Sequence, residues 1–151
     1  MKQISLILLA LFSFALSGFS GDKKEVVTWQ GHIKHLGENN YQVEVEAVME
    51  KGFHIWAIDA GGDGSLINTE INFEDNNIKW LDASWKSNIK PKTETYEFID
   101  GAVHYYENKV VFQRKYVSPN PSSLNVKVTY QTCNESMCFP PQDVFLEIKT
   151  P

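Results

Sequence analysis

Apolar and polar residues alternate with a period of two along much of the chain. Tyr41, Val43, Val45, Ala47 and Met49 are separated by Gln42, Glu44, Glu46 and Val48. Such spacing puts one face of a strand in a core and leaves the other wet. Val27, Trp29, Gly31 and Ile33 alternate in the same way, and Leu36-Gly37-Glu38-Asn39-Asn40 between the two runs is turn-forming. The two runs therefore predict a hairpin. Further strands are predicted over 53–58, 69–73, 78–81, 109–117, 124–130 and 144–148, with a turn at Glu74-Asp75-Asn76-Asn77. No amphipathic helix, repeat or low-complexity tract interrupts them. About seven or eight short strands separated by turn-rich loops predict an all-β, immunoglobulin-like sandwich. Two segments are read as loops: Asp59 to Gly64, and the long aromatic stretch from Pro91 to Tyr106.

The first twenty residues follow another pattern. Met1-Lys2 is charged, Ile4 to Leu16 is apolar apart from serines, and small residues follow before Asp22-Lys23-Lys24-Glu25. That order is that of a secretory signal peptide. The apolar run is shorter than the roughly 20 residues that span a bilayer, so an uncleaved anchor is the weaker reading. No cysteine lies nearby to carry a lipid. Residues 1–20 are thus read as a signal peptide, cleaved between Ser17 and Gly21, and 21–151 as one domain. The expected location is periplasmic or secreted, and nothing after the signal is expected to span a membrane. The net charge is -5, and losing Lys2 makes it -6. An acidic chain without a basic stripe is not built for nucleic acid. Only two cysteines are present, too few for a disulfide framework, so the core must come from the 42% hydrophobic residues.

Most candidate chemistry is outweighed by structural roles. His32 and His35, three apart on a strand, point to opposite faces. His54 and His104 are isolated, and no second cysteine pair exists, so no metal and no cofactor is expected. Gly61-Gly62-Asp63-Gly64 has neither the lysine of a phosphate cradle nor the acidic spacing of a calcium loop, and reads as a flexible turn. Trp29, Trp56, Trp80 and Trp85 could stack on sugars, but aromatics on sandwich strands are more often core. An exported binding module for carbohydrate or protein, with a structural disulfide, remains the alternative function. A folding aid that contacts partners without exchanging electrons is a third.

The cysteine segment, Val128-Thr129-Tyr130-Gln131-Thr132-Cys133-Asn134-Glu135-Ser136-Met137-Cys138-Phe139-Pro140-Pro141, is different. A strand leads to Cys133, and two prolines stiffen the exit from Cys138; Pro140 biases Phe139 to an extended backbone. Closing so short a loop is worth only about 2 kcal/mol. A structural staple in a sandwich more often joins distant strands. A short loop at a strand end can open and close without disturbing the sheets, which suits an exchange-labile bond. Staple and redox pair both remain open on these grounds.

Tyr130-Gln131-x-Cys133 followed by Cys138-Phe139-Pro140-Pro141 resembles the N-terminal periplasmic domain of the bacterial thiol:disulfide interchange protein DsbD. Lys51-Gly52-Phe53-His54-Ile55-Trp56 resembles the aromatic strand of that family, and Tyr96-Glu97-Phe98, followed by Gly101, its cap loop. The resemblance implies an immunoglobulin-like sandwich and thiol–disulfide exchange outside the cytoplasm. It makes Cys133 and Cys138 the redox pair, with Cys138 forming mixed disulfides and Cys133 resolving them. It implies that Phe98 shields the pair, and that Glu97, His54, Trp56 and Phe139 line the site. If His54 lies near, its protonated form could stabilise a thiolate. The implied partners are a membrane-embedded or thioredoxin-like reductase as donor and oxidised periplasmic thiol proteins as acceptors. The chain would then be a protein-disulfide reductase component, though whether it is itself an enzyme is left open. Two features depart from the pattern. The best-known members carry one more residue between the cysteines than the four here. They also continue into a membrane domain and a thioredoxin-like domain, whereas this sequence stops at Pro151, so the donor is expected to be a separate protein.

Overall fold

The computed structural model describes residues 25–74, 78–119 and 123–151. The expected signal peptide, 1–20, lies outside the described residues. Within them the chain is all-β and forms an immunoglobulin-like sandwich with every pairing antiparallel. No described helix is long and apolar enough to cross a membrane.

The first layer is built on the predicted hairpin. Strands β1 (Val27–Gly37) and β2 (Asn40–Met49) pair from Val27↔Met49 to Gly37↔Asn40. The turn is tighter than expected, because Gly37 and Glu38 take positive φ of 108° and 49° and let the strands run almost into each other. The other neighbour of β2 is β9 (Lys109–Val117), whose far side pairs two short segments, β5 (Lys79–Trp80) and β6 (Lys86–Ser87).

The second layer has two parts. One is the order β12 (Gln142–Ile148), β10 (Leu124–Tyr130), β4 (Glu70–Phe73). The other is β11 (Thr132–Cys133), β3 (His54–Gly61), β8 (Ala102–Glu107), β7 (Lys92–Thr95). The fully buried Thr69 stitches them together. Its N–H donates to the carbonyl of Ala57 (3.1 Å) and its hydroxyl to that of Trp56 (2.6 Å). The predicted turn at 74–77 falls largely on residues outside the description, but the strands flanking it belong to different layers.

The main core lies between the layers. Val43, Val45, Ala47, Val110 and Phe112 meet Ile55, Tyr106, Val126, Val128 and Tyr130. The β3–β8 sheet is packed on its other face as well. Trp56, Val103 and Tyr105 point away from the main core into a smaller cluster with Ala60 and Cys133, covered by Leu66, Tyr96 and Ile99. This double packing explains adjacent buried residues such as Ile55-Trp56-Ala57 and Tyr105-Tyr106. It also corrects the reading of 91–106 as a loop, since that stretch contains β7 and β8.

The Gly61–Gly64 turn is pinned. Gly62 N–H donates to the Ala102 carbonyl (2.8 Å), and Asp63 Oδ1 accepts from Ser65 N–H (3.0 Å). Gly61 and Gly62 have φ of 67° and 69°, and a Cβ on Gly61 would run into the Ala102 carbonyl oxygen. The tryptophans form no platform. Trp29 and Trp56 are buried, and Trp80 and Trp85 pack on Phe73 with the Arg114 guanidinium over Trp80.

Gly31 of β1 faces Ile148 of β12 so closely that a Cβ there would overlap the Ile148 side chain, which is itself buried. Gly31→Ala is expected to destabilise the fold by about 1–3 kcal/mol, the usual cost of overpacking a core. Urea unfolding measures this, and an unchanged midpoint would mean that the Ile148 side chain is free to move.

Candidate functional site

A local hairpin carries the two cysteines. Strand β10 ends at Tyr130, and β11 then pairs with β3 through Thr132↔Ile55 and Cys133↔His54. Asn134 N–H donates to the Met137 carbonyl (2.9 Å), and Asn134 Oδ1 accepts from the N–H groups of Ser136 and Met137 (both 2.9 Å). An asparagine side chain that satisfies the backbone of its own turn favours the reversal. Phe139 N–H then donates to the Thr132 carbonyl (2.8 Å), and Gln131 Nε2 to the Phe139 carbonyl (3.0 Å). Cys133 and Cys138 are thereby placed opposite one another and are joined as a disulfide, with Cα atoms 4.0 Å apart.

The two ends of this bond differ. Cys133 is 1% exposed and belongs to the smaller cluster, whereas Cys138 is exposed, beside Met137, which is also exposed. Past Cys138, Phe139, Pro140 and Pro141 join Val26, Phe53 and Thr132 around a shallow apolar groove.

On a strand, directly paired residues share a face. Cys133, His54 and Glu107 therefore form one row across β11, β3 and β8, and Trp56 and Tyr105 form the next. The His54 ring lies 5.0 Å from Trp56 and 4.8 Å from Tyr105, centre to centre. Its Nε2 is buried without a hydrogen-bond partner. Burial pulls the His54 pKa down, against the opposing pull of Glu107 and Glu94. The cost of desolvating the cation exceeds the help from the two carboxylates, so burial favours the uncharged ring.

A carboxylate unnoticed in the sequence holds this cluster at its outer side. Glu94 of β7 accepts from Tyr105 OH (2.6 Å) and from Tyr96 OH (2.9 Å). These bonds, that of Tyr105 foremost, lower the Glu94 pKa; burial foremost, and the same bonds, raise both phenols. Tyr96 belongs to the 96–101 segment, whose Ile99 also covers the cluster. Glu107 is engaged by Lys92 (2.6 Å).

The residues expected around the cysteines fall into two groups. His54 and Trp56 lie in the rows beside Cys133, and Phe139 follows Cys138 with its ring 6.1 Å from Phe53. Glu97 is exposed, and Phe98 is 82% exposed with its ring 5.7 Å from Tyr96. Phe98 is thus no core residue, and the loop side chains that pack on the Cys133 cluster are Tyr96 and Ile99. Among the described residues no group of three or more His, Cys, Asp or Glu side chains could hold a metal.

Known proteins supply the context. The model of the family "Thiol:disulfide interchange protein DsbD, N-terminal" matches residues 26–150. No curated protein sequence matches the chain. Among solved structures, the N-terminal periplasmic domain of ScsB from Proteus mirabilis is similar, with 19% identity and a TM-score of 0.52 over 80% of this chain and 45% of that one. The chain thus spans less than half of that protein. A complex between the DsbD and PilB N-terminal domains from Neisseria meningitidis matches at 15% identity and TM-score 0.50, over 79% of this chain and 80% of that one. The reduced DsbD N-terminal domain from the same organism matches at 18% and 0.49, over 75% and 78%. At such identities the first two likenesses speak for the fold.

The disulfide lies outside the main core and closes a sequence separation of only 5. Its loop-closure contribution is about 2 kcal/mol. Reduction by dithiothreitol at room temperature is expected to leave the far-ultraviolet circular dichroism spectrum unchanged. Loss of the β signal would make the bond a structural staple.

Proposed function

Since the chain belongs to the family of the N-terminal domain of the thiol:disulfide interchange protein DsbD, whose chemistry is thiol–disulfide interchange, we propose that Cys133 and Cys138 carry reducing equivalents between proteins outside the cytoplasm. The observation that carries this reading is the asymmetry of the bond, with one sulfur-bearing residue exposed and the other buried beside His54. A thiolate of a reduced donor attacks Cys138 Sγ. The Cys133–Cys138 bond breaks, and Cys133 leaves with the electron pair and takes up a proton. A second donor thiolate then attacks the donor sulfur of the mixed disulfide, and Cys138 leaves as a thiolate that takes up the second proton. The carrier has gained two electrons and two protons, and the donor is oxidised. Delivery reverses the steps. Cys138 attacks the disulfide of an oxidised acceptor, Cys133 attacks Cys138 Sγ, and the acceptor departs reduced.

The donor is proposed to be a membrane-embedded or thioredoxin-like reductase, and the acceptors oxidised periplasmic thiol proteins. A solved relative binds the N-terminal domain of PilB, which supports a protein partner at this kind of domain. Residues 1–20 are proposed to be the export signal and 21–151 the working domain. Phe98 and Glu97 are proposed to form the outer rim of the site, where Phe98 hinders small thiols.

Cys133→Ser should leave a Cys138 thiol that accumulates mixed disulfides with partner proteins in an exporting bacterium, seen on non-reducing gels after acid quench. Cys138→Ser should accumulate few or none. Equal trapping by both would overturn the roles, and trapping by neither would overturn the carrier itself. Phe98→Ala should change stability by no more than about 0.5 kcal/mol, as for other exposed sites. It should also speed reduction by dithiothreitol; an unchanged rate would remove Phe98 from the rim.

A further inference from the structure

We propose that His54 is the base that takes the proton from Cys133 when Cys133 resolves a mixed disulfide held on Cys138. The inference deepens the carrier reading and rests on it. Two geometric observations carry it. His54 is the direct cross-strand partner of Cys133, so both side chains stand on the same face of the sheet. In addition, His54 Nε2 is buried with no hydrogen-bond partner, which costs free energy in the folded protein and leaves that nitrogen free to take a proton.

The chemistry needs such a group. In the mixed-disulfide state Cys133 is a thiol in the apolar cluster of Trp56, Ala60, Val103 and Tyr105. Burial in such surroundings raises a thiol pKa, while only the thiolate attacks. A neutral imidazole one strand away accepts the thiol proton. The Cys133 thiolate then attacks Cys138 Sγ, the Cys133–Cys138 bond forms, and the bond from Cys138 to the partner sulfur breaks. The electron pair leaves on the partner thiolate, which takes a proton from solvent, and the imidazolium releases its own.

The groups facing His54 are consistent with a neutral base. Glu107 and Tyr105 come from β8, and Lys92 and Glu94 from β7. Glu107 is paired with Lys92, and Glu94 accepts from Tyr105 and Tyr96. The two carboxylates temper the loss of basicity caused by burial without reversing it.

The test separates the two cysteine steps. Fully reduced protein is mixed with 5,5′-dithiobis(2-nitrobenzoate). Attack by Cys138 releases one nitrothiobenzoate in a phase that depends on reagent concentration. Attack by Cys133 on the mixed disulfide releases the second in a concentration-independent phase. In His54→Gln the second phase should slow by about tenfold or more at neutral pH, a modest share of what a positioned base provides. Its rate should keep rising into the alkaline range where an unassisted thiol ionises. The first phase should stay within about twofold, since only the second step uses the base. An unchanged second-phase pH profile in His54→Gln would overturn the role of His54 while leaving the carrier intact. Absence of a concentration-independent phase in the wild type would overturn the carrier and the base together. Should His54→Gln not fold, the wild type still decides. The pH midpoint of its second phase must coincide with the His54 titration followed by NMR in histidine-labelled protein, and a midpoint unrelated to that titration would overturn the proposal.

Discussion

The site depends on one constraint: the β3–β8 sheet must be covered on both faces. Its inner face packs Ile55, Ala57 and Tyr106 into the sandwich. Its outer face would otherwise leave Trp56, Val103 and Tyr105 in water, at a cost of about 1.5–3 kcal/mol for each large side chain left exposed. The Cys133 hairpin and the 96–101 segment provide the cover. The disulfide is therefore carried by a lid on an apolar patch, and the environment of Cys133 follows from the need to bury that patch.

This placement separates stability from chemistry. The main sandwich core includes neither cysteine; Cys133 belongs to the smaller cluster on the outer face. The hairpin around it is held by its own polar bonds, from Asn134 to the turn and from Gln131 and Phe139 across its base. These bonds do not involve the sulfurs. They hold Cys133 and Cys138 opposite one another independently of the disulfide, and such proximity favours closure of the bond. Cys138 is exposed and Cys133 buried, so the two ends of the bond sit at different depths.

Where one face of a strand is wet, the sequence was legible. Strands β9 and β10 have the bounds that alternation predicts, and the β1–β2 hairpin differs only in the tightness of its turn. Where both faces are buried, period two disappears. Tyr105 and Tyr106 are both buried though adjacent, so β8 was read as loop, and with it went β7, whose residues are all exposed. The cost fell on the site. Glu94 and Tyr105 lie on those two strands, and no motif marks them, since a Tyr–Glu–Tyr arrangement arises only once β7 pairs with β8. The cysteine pair was legible because its signals are local, a short spacing and a double proline; His54, read alone, was an isolated histidine, and only the resemblance put it beside the pair. The direction of its pKa shift was not legible, because it depends on how deeply the ring is buried, a property of the assembled sheet.

Two groups of the site, His54 and Glu94, are each held below their ordinary titration range, for different reasons. The bonds from Tyr105 and Tyr96 hold the Glu94 carboxyl below the ordinary carboxylate range. A group whose folded pKa is depressed contributes stability above its unfolded pKa and loses it only as the pH falls through the folded value. The tie between Glu94 and the 96–101 segment thus persists through neutral and mildly acidic conditions. The pKa of His54 is also depressed, but from a starting point near neutrality. Its folded-state preference for the neutral ring is expressed above its folded pKa and fades as the solution becomes more acidic. The imidazole gains its proton only below the ordinary histidine range, and Glu94 keeps accepting from both tyrosines down to below the ordinary carboxylate range. Within the range where Glu94 stays ionised the tie that holds the cover is intact, so a pH dependence there reports on the row of Cys133, His54 and Glu107 and not on loss of the Glu94 bonds.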